Sequence, residues 1–541
     1  MSGADIAAEV ISALRADGFT SRLSGTGMVA QGDIKVLGRA ISLRLEYRDM
    51  SFSEPPYVFV ENAAALSRPV VPHLDEQNEL CVVDRRTFIP DRYATAAQAR
   101  GVLVKAIDVL TAGQGRTAEA AIAAEFPQHW GGKVIYTELA EAGGRADVFM
   151  NRGATWAAPA SATPREGATT ASVVRTPAQL SFSAQQRRPA TLAEVLDWAA
   201  AWDADLPGAI LVALGGLSSE NPLCFIVASN GIVAFRVEVG RGAGDQTISA
   251  LKRPEGWRAA LSTPIIRRCP VTRFQGQPSD VSHLLGRNTH DRPVLAQKHI
   301  VLVGCGSVGG FLSQALARMG AGFEGTLTLV DPENFEPANL GRHMLGGESV
   351  GVAKATACAT RIVQDVPNVN CVGRKAAVQA LELTLHRADF IVDATGEQGI
   401  SEYLNALAQT ARSEGLPWPQ MLHAWIVGQG SAVQSLISTD PDFGCYRCLQ
   451  PDHEKPPRHL VLRPEAPREV LGGCGEATFV PYGPSAPLAA AGLAARHLAD
   501  LAMGVGRPTM RTWRLDPSMT FDVKPTNLTK SNTCPACGAA S

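Results

Sequence analysis

The segment from His299 to Asp331 restricts what this chain can fold into more than any other. Residues 300–303 form a short apolar run of the kind that makes a buried parallel strand. Gly304, Gly306 and Gly309 follow at G-x-G-x-x-G spacing, 311–319 has helical character, and a second strand ends on Asp331. Strand, glycine turn, helix, strand and acid together read as a nucleotide-binding βαβ unit. The glycines let backbone N–H groups approach phosphate oxygens, and the helix N-terminus favours their charge. Asp331 is placed to accept hydrogen bonds from ribose hydroxyls. Alone, such a turn is compatible with tight packing or with NAD binding, and the residues beyond Asp331 decide against NAD.

The unit sits in a chain of 541 residues, long enough for about two to four domains. A hydrophobic content of 45% and a charged content of 19% fit a soluble globular protein. The net charge of −2 gives no electrostatic footprint for nucleic acid. The first residues lack the pattern of a secretory signal, and the apolar stretch 486–503 is broken by Arg496, His497 and Asp500, so no membrane partner is expected. Eleven cysteines without a signal point to a reducing cytoplasm, as thiols or metal ligands rather than disulfides.

Four regions are expected: 1–135, a flexible linker at 136–189, a small α+β middle domain at 190–278, and 279–541. In the first, Ile6, Val10, Ile11 and Leu14 share one helical face. Strand-like runs fill 27–47, Pro55-Pro56 feeds the strand Tyr57-Val58-Phe59-Val60, and 94–110 is a helix with Val102, Val104, Ile107 and Leu110 apolar. The stretch 136–189 is dominated by Ala, Thr, Ser, Pro and Arg, which predicts the linker. In the middle domain Thr191 and Glu194 form a capping box, and 209–214, 223–228 and 232–239 read as strands. Cys224 and Cys269 there are expected to be structural.

The first region resembles a ubiquitin-conjugating (E2-like) domain of the bacterial type. The resemblance rests on Pro55-Pro56-Tyr57, the His73 to Cys81 spacing, Leu80-Cys81, and the ending Glu125-Phe126…Trp130. It implies that Cys81 carries an acyl group as a thioester, which needs a cysteine on a partly open loop. The alternative is a small buried hydrophobe among valines. The family's usual His-Pro-Asn triplet is absent; His73 stands near that spacing, either as its replacement or as an ordinary loop histidine.

Beyond Asp331 come Asn339-Leu340-Gly341-Arg342-His343, then Gly351-Val352-Ala353-Lys354, and a strand ending Asp393-Ala394-Thr395. As a set, over about 280–541, these resemble the ThiF/MoeB-type activating-enzyme family, which includes the ubiquitin (E1-like) activators. The resemblance implies a Rossmann-like adenylation domain and a homodimer. It assigns Asp331 to the ATP ribose, Asn339, Arg342 and Lys354 to the triphosphate, Asp393 to the ATP–Mg²⁺ site, and an upstream arginine, here Arg287, to a partner subunit's phosphates. His343 replaces the family's frequent glutamine. The chemistry agrees. A carboxylate becomes an electrophile when joined to the α-phosphate, and the charge building on diphosphate needs cations to meet it.

Cys445/Cys448 and Cys534/Cys537 are CxxC pairs with the spacing of zinc knuckles, able to converge on one tetrahedral Zn²⁺. By the family resemblance they would clip the C-terminal tail to the region after the sheet. Cys474, in a glycine-rich segment between the pairs, fits the family's acyl-accepting cysteine on a mobile loop, the alternative being a small residue in a tight turn. Cys305, Cys358 and Cys371 are expected to be structural.

The whole is an α/β chain that resembles the fused conjugating/activating proteins of CBASS antiphage operons. That resemblance implies ATP-dependent activation of a protein's C-terminal carboxylate, capture on Cys474, transfer to Cys81, and ligation to an amine of a target. The activated protein would be a cGAS-like nucleotidyltransferase or a ubiquitin-like protein. Two other readings stand: a sulfur-carrier-activating adenylyltransferase, in which Cys81 is incidental, and a non-catalytic nucleotide-binding scaffold.

Overall fold

The computed structural model describes residues 3–48, 50, 53–85, 88–140, 142–151, 153–161, 167–217, 221–239, 263–280, 283–286, 294–366, 368–466 and 481–538. Arg287 and Cys474 lie outside them. The chain divides into two units, Met1–Asp280 and Val281–Ser541.

The first unit opens with helix α1 (Gly3–Ala16), whose Ile6, Val10 and Leu14 are fully buried. It packs with α2 (Thr95–Ala112) on an antiparallel sheet of β1 (Thr20–Ser24), β2 (Gly27–Val36), β3 (Arg39–Tyr47) and β4 (Tyr57–Val60). Strict alternation in β3 buries Ile41, Leu43, Leu45 and Tyr47. In α2, Ala99, Val102, Leu103, Ala106 and Leu110 face this core. Val104, expected among the apolar face, is 57% exposed, because two helical positions carry it to the far side from Val102.

The linker expected at 136–189 is not one. It contributes three strands to a closed seven-stranded barrel in the order β10-β11-β5-β7-β6-β8-β9. These strands are β5 (Lys133–Thr137), β6 (Gly144–Asn151), β7 (Ala154–Pro159), β8 (Thr169–Arg175), β9 (Leu223–Ala228), β10 (Gly231–Val237) and β11 (Val271–Pro278). The barrel therefore starts at Lys133, inside the expected first domain, and absorbs the expected middle domain. The low-hydrophobicity composition misleads because small residues help fill a narrow barrel: Ala146, Ala157 and Ala171 are buried in its core. Beyond β8, Leu180 and Phe182 are fully buried, Phe182 among Phe126, Trp130 and Trp198 with ring centroids 5.8–6.4 Å away.

The strand expected at 209–214 is helical, within α6 (Leu206–Gly215). An unbroken apolar run carries no period of its own, but Leu206, Ile210 and Leu214, four residues apart, are the ones buried. Helix α5 (Leu192–Ala200) starts on the expected capping box, with Thr191 Oγ1 accepting from Glu194 N and Glu194 reaching back to Thr191 N.

The second unit is a seven-stranded sheet, β14-β13-β12-β15-β16-β17-β18. Strands β12 (His299–Val303), β13 (Thr326–Val330), β14 (Cys371–Arg374), β15 (Phe390–Asp393) and β16 (Gln420–Val427) are parallel, while β17 (Ala432–Ile437) and β18 (Met510–Arg514) continue the sheet antiparallel. The helices Ser307–Arg318, Lys354–Asp365 and Ser485–Ala502 add to the core of Ile300, Leu302, Leu327, Leu329 and Val392. No helix among the described residues is long and apolar enough to cross a membrane.

Candidate adenylation site and carrier cysteine

Three strand ends bring the expected nucleotide residues together. β12 runs into Gly304, at φ +87°, and the helix Ser307–Arg318 starts three residues later. A side chain at Gly309 would put a Cβ 1.8 Å from Gly304 O, so the turn and the helix touch through bare backbone, whereas Gly306 faces open space. Asp331, at the end of neighbouring β13, is buried. Its Oδ2 accepts from Cys305 N at 2.7 Å and its Oδ1 from Glu333 N at 2.8 Å. The visible work of this carboxylate is to fix the glycine turn.

Asn339 and Arg342 lie on the 3-10 helix Pro337–Arg342, where Asn339 Oδ1 accepts from Glu336 N at 2.9 Å. The Arg342 guanidinium lies 5.1 Å from the ring centroid of Tyr482. The Tyr482 hydroxyl is 2.8 Å from Ser307 Oγ, so one ring joins Arg342 to the first residue of the glycine-turn helix. Lys354 opens the helix Lys354–Asp365, is buried, and is paired with Glu333. His343 sits beneath the turn. Its Nε2–H donates to Cys305 O at 2.8 Å and its Nδ1 accepts from Leu345 N at 3.1 Å. Burial holds His343 below its ordinary pKa, with the Cys305 carbonyl opposing. His343 thus supports the loop from below.

Asp393, at the end of β15, is only 2% exposed. His423 Nδ1 donates to its Oδ2 at 2.8 Å and Ser401 donates to the same oxygen, while Thr395 supplies both N–H (3.0 Å) and hydroxyl (2.7 Å) to Oδ1. Burial pushes the carboxyl up, but His423, Ser401 and Thr395 outweigh it and hold the group below its ordinary value. With both oxygens engaged and hidden, direct coordination of Mg²⁺ by Asp393 does not fit this arrangement. Thr395, which Asp393 holds, packs its backbone on Gly304. His423 in turn meets the Ser438 hydroxyl at 3.0 Å and lies against Tyr446, with ring centroids 4.6 Å apart.

The four cysteines of the CxxC pairs converge, with their sulfur atoms all within 4.8 Å of one another. Cys445 Sγ is 3.8 Å from Cys534 Sγ, and Cys448 Sγ is 3.3 Å from Cys537 Sγ. Four thiols packed this closely beside Leu436, Met510 and Leu528 are a donor set that fits Zn²⁺. Cys224, Cys269, Cys305 and Cys358 are buried and Cys371 is half-buried.

In the first unit Cys81 is exposed and its N–H donates to His73 O at 2.8 Å. Burial of part of the thiol raises its pKa, Glu125, Asp84 and Glu79 add to the rise, and Arg85 opposes it. Nothing short-range marks Glu333, Tyr482 or His423 as members of the second-unit site, since they meet it across 21, 175 and 30 residues, and Ser401 reaches Asp393 only through the turn that starts the next helix. Glu125 beside Cys81 was visible only as part of an ending motif.

These two regions define a protein class. Residues 286–536 match the ThiF family and residues 7–134 match Prokaryotic E2 family B. The chain is a fused E2-like/E1-like bacterial protein, an enzyme of ATP-dependent activation and conjugation. Along its whole length it is similar to the ATP-dependent ubiquitin transferase-like protein Cap2 of Pseudomonas aeruginosa, 27% identical over 571 residues with both chains fully covered. The Cap2 of Vibrio cholerae is 34% identical over 40% of this chain and 36% of that one. The sulfur carrier protein ThiS adenylyltransferase of Escherichia coli is 29% identical over 30% of this chain and 63% of that one.

Proposed function

We propose that the second unit joins a protein's C-terminal carboxylate to AMP, and that the activated acyl group passes through Cys474 to Cys81 and then to an amine. The observation that carries this reading is the exposed Cys81 on a fixed loop, in a chain that also holds a glycine turn with Arg342 and Lys354 around it. Gly304, Gly306 and Gly309 let backbone N–H groups meet the phosphates, with Asp331 and Asn339 toward the ribose and triphosphate. Arg342 and Lys354 offset charge as diphosphate leaves, and Lys354 exchanges its pairing with Glu333 for phosphate. Magnesium, when bound with ATP, would neutralise phosphate charge. Arg287 is proposed to reach a partner subunit's phosphates in a homodimer.

A cleft of about 730 Å³, lined by Trp425, Val427, Tyr446, Pro457, Leu460 and Leu462 among others, suits the incoming C-terminal tail, and its wall shares Tyr446 with the Asp393 network. Zinc held by Cys445, Cys448, Cys534 and Cys537 would tie the C-terminal segment to this wall. By the resemblance to antiphage fusions, the activated protein is a cGAS-like nucleotidyltransferase in the cytoplasm. The test is to mix protein, ATP–Mg²⁺ and that partner and run non-reducing gels. Thiol-sensitive adducts are expected, both lost in C474A and only the Cys81 adduct lost in C81A. Pyrophosphate exchange with no adduct at either cysteine would overturn the transfer and leave a sulfur-carrier activator. Absence of exchange would leave a scaffold.

A further inference from the structure

The loop carrying Cys81 is held in a conformation that ordinary residues avoid. His73 and Asn78 have φ of 62° and 61°, in the left-handed region. The loop is closed by the Leu74–Leu80 bridge and by Cys81 N donating to His73 O. Inside it, Asp75 Oδ1 accepts from Gln77 N and Glu79 N, both at 2.8 Å. From the barrel side, Arg188 donates to Leu74 O at 3.3 Å and to His129 O at 2.7 Å, so it ties this loop to α4 (Phe126–Trp130). Strain of this kind persists only where the surroundings enforce it.

The clamp brings one carboxylate to two imidazoles, and that carboxylate acts on the Cys81 thiol. Glu125 Oε2 lies 3.7 Å from His73 Nδ1 and 4.0 Å from His129 Nε2. His129 Nε2 is buried without a hydrogen-bond partner. Burial, with Arg188 and His73 nearby, lowers the His129 pKa to about 4, so that ring is neutral and does not neutralise Glu125. The other charged groups that act on Cys81 are Asp84, Glu79 and Arg85. Arg85 is already committed: it donates to Pro55 O at 3.0 Å and Pro56 O at 3.2 Å and stacks 3.4 Å from the Tyr57 centroid. A thiol raised by burial and by Glu125 is a reluctant leaving group. A thioester on it waits for a well-placed, deprotonated amine.

We propose that Glu125, with His73 beside it, is the amine-receiving half of the Cys81 site. Glu125 binds the ammonium of an incoming lysine and takes up one of its protons. The freed nitrogen pair attacks the thioester carbonyl, forming the N–C bond. The C–S bond then breaks, its electron pair leaves on Cys81 Sγ, and the second nitrogen proton passes to that thiolate by way of His73. Amide, free thiol and a protonated Glu125 result, and Glu125 returns its proton to water. The proposal rests on Cys81 being the acyl carrier.

The test separates charging from discharge. Protein, ATP–Mg²⁺ and partner are allowed to form the Cys81 adduct, ATP is then removed, and free lysine is added. In E125Q the adduct is expected to accumulate while its discharge slows by about 100-fold, with E125D intermediate and H73Q slowed by about tenfold. In parallel, Cys81 alkylation by iodoacetamide is followed against pH by mass spectrometry in uncharged protein. E125Q is expected to move its midpoint to lower pH. Discharge within about twofold of wild type, or an unmoved alkylation midpoint, overturns the proposal. Failure of the wild-type protein to charge Cys81 overturns the carrier reading and this proposal with it; normal charging with unchanged E125Q discharge overturns this proposal alone.

Discussion

The glycine-turn site and the Cys81 loop solve opposite problems. Around the turn, Asp331, His343, Lys354 and Asp393 are all under 9% exposed, and each is tied to a backbone group or an opposite charge. At the carrier loop Cys81 is open, and the side chains of His73 and Glu125 are each 42% exposed. Nucleotide chemistry gains from charges fixed in a dry, low-dielectric setting before the reaction begins. A carrier thiol must instead be reached by two large partners in turn. The protein therefore fixes the backbone under Cys81, through a closed loop and the Arg188 clamp, and leaves the side chains free to meet what arrives.

The sharpest break in this comparison is C81A. If the regions divide the work, ligation falls by at least about 1000-fold, while ATP–pyrophosphate exchange stays within about twofold of wild type. Parallel loss of both activities would show that the division is false.

D393A probes the other side. It strips His423, Ser401 and Thr395 of their shared acceptor and loosens Thr395 against Gly304. Exchange is expected to fall by about 100-fold, and a urea melt to lose about 3 kcal/mol, the scale for leaving buried donors without their acceptor. A stable but inactive D393A would move the residue from loop support to direct chemistry.

The sequence exposed the second unit far better than the first, and the reason is physical. The glycine turn, Asp331 and the CxxC pairs carry constraints within a few residues: a left-handed φ at Gly304, a Cβ clash at Gly309, two thiols three residues apart. Such constraints are written locally. Glu333, Tyr482 and His423 act across 21, 175 and 30 residues, and nothing short-range marks them. The barrel was hidden for a third reason. Its alanines pack by being small, so the composition that predicts a loose linker is also what a narrow barrel requires. Over 206–214 the buried spacing Leu206, Ile210, Leu214 was present but masked by the apolar run around Ile210 and Leu214.

The zinc cluster tests whether the second unit's order extends to its C-terminal segment. C534S leaves three sulfurs for a tetrahedral ion. Bound zinc, read by atomic absorption, is expected to fall well below one equivalent, with a melting temperature lower by about 5–10 °C. Wild type without zinc but with full stability would mean that the four thiols pack without metal.

The smallest effect reads both regions at once. His129 in the first unit and His497 in the second are each pushed down to about 4, chiefly by burial. A histidine whose folded pKa lies below its unfolded value of 6.5 contributes stability that is complete above pH 6.5. That stability is lost as pH falls toward 4, because the unfolded chain binds the proton first. Each should give up about 2 kcal/mol across that window, measured by urea melts at pH 7, 5.5 and 4.5. The two replacements then differ. His497 accepts or donates at both nitrogens, to Ser435 Oγ at 2.7 Å and Gly506 O at 3.0 Å, whereas His129 Nε2 has no hydrogen-bond partner. H497Q should flatten the acid slope and also lose about 1 kcal/mol at pH 7, while H129L should flatten the slope with little loss at neutrality. A steeper acid slope in H129L would mean that His129 is held protonated in the folded protein and pairs with Glu125. Glu125 would then be neutralised, and its role toward the amine would have to be abandoned.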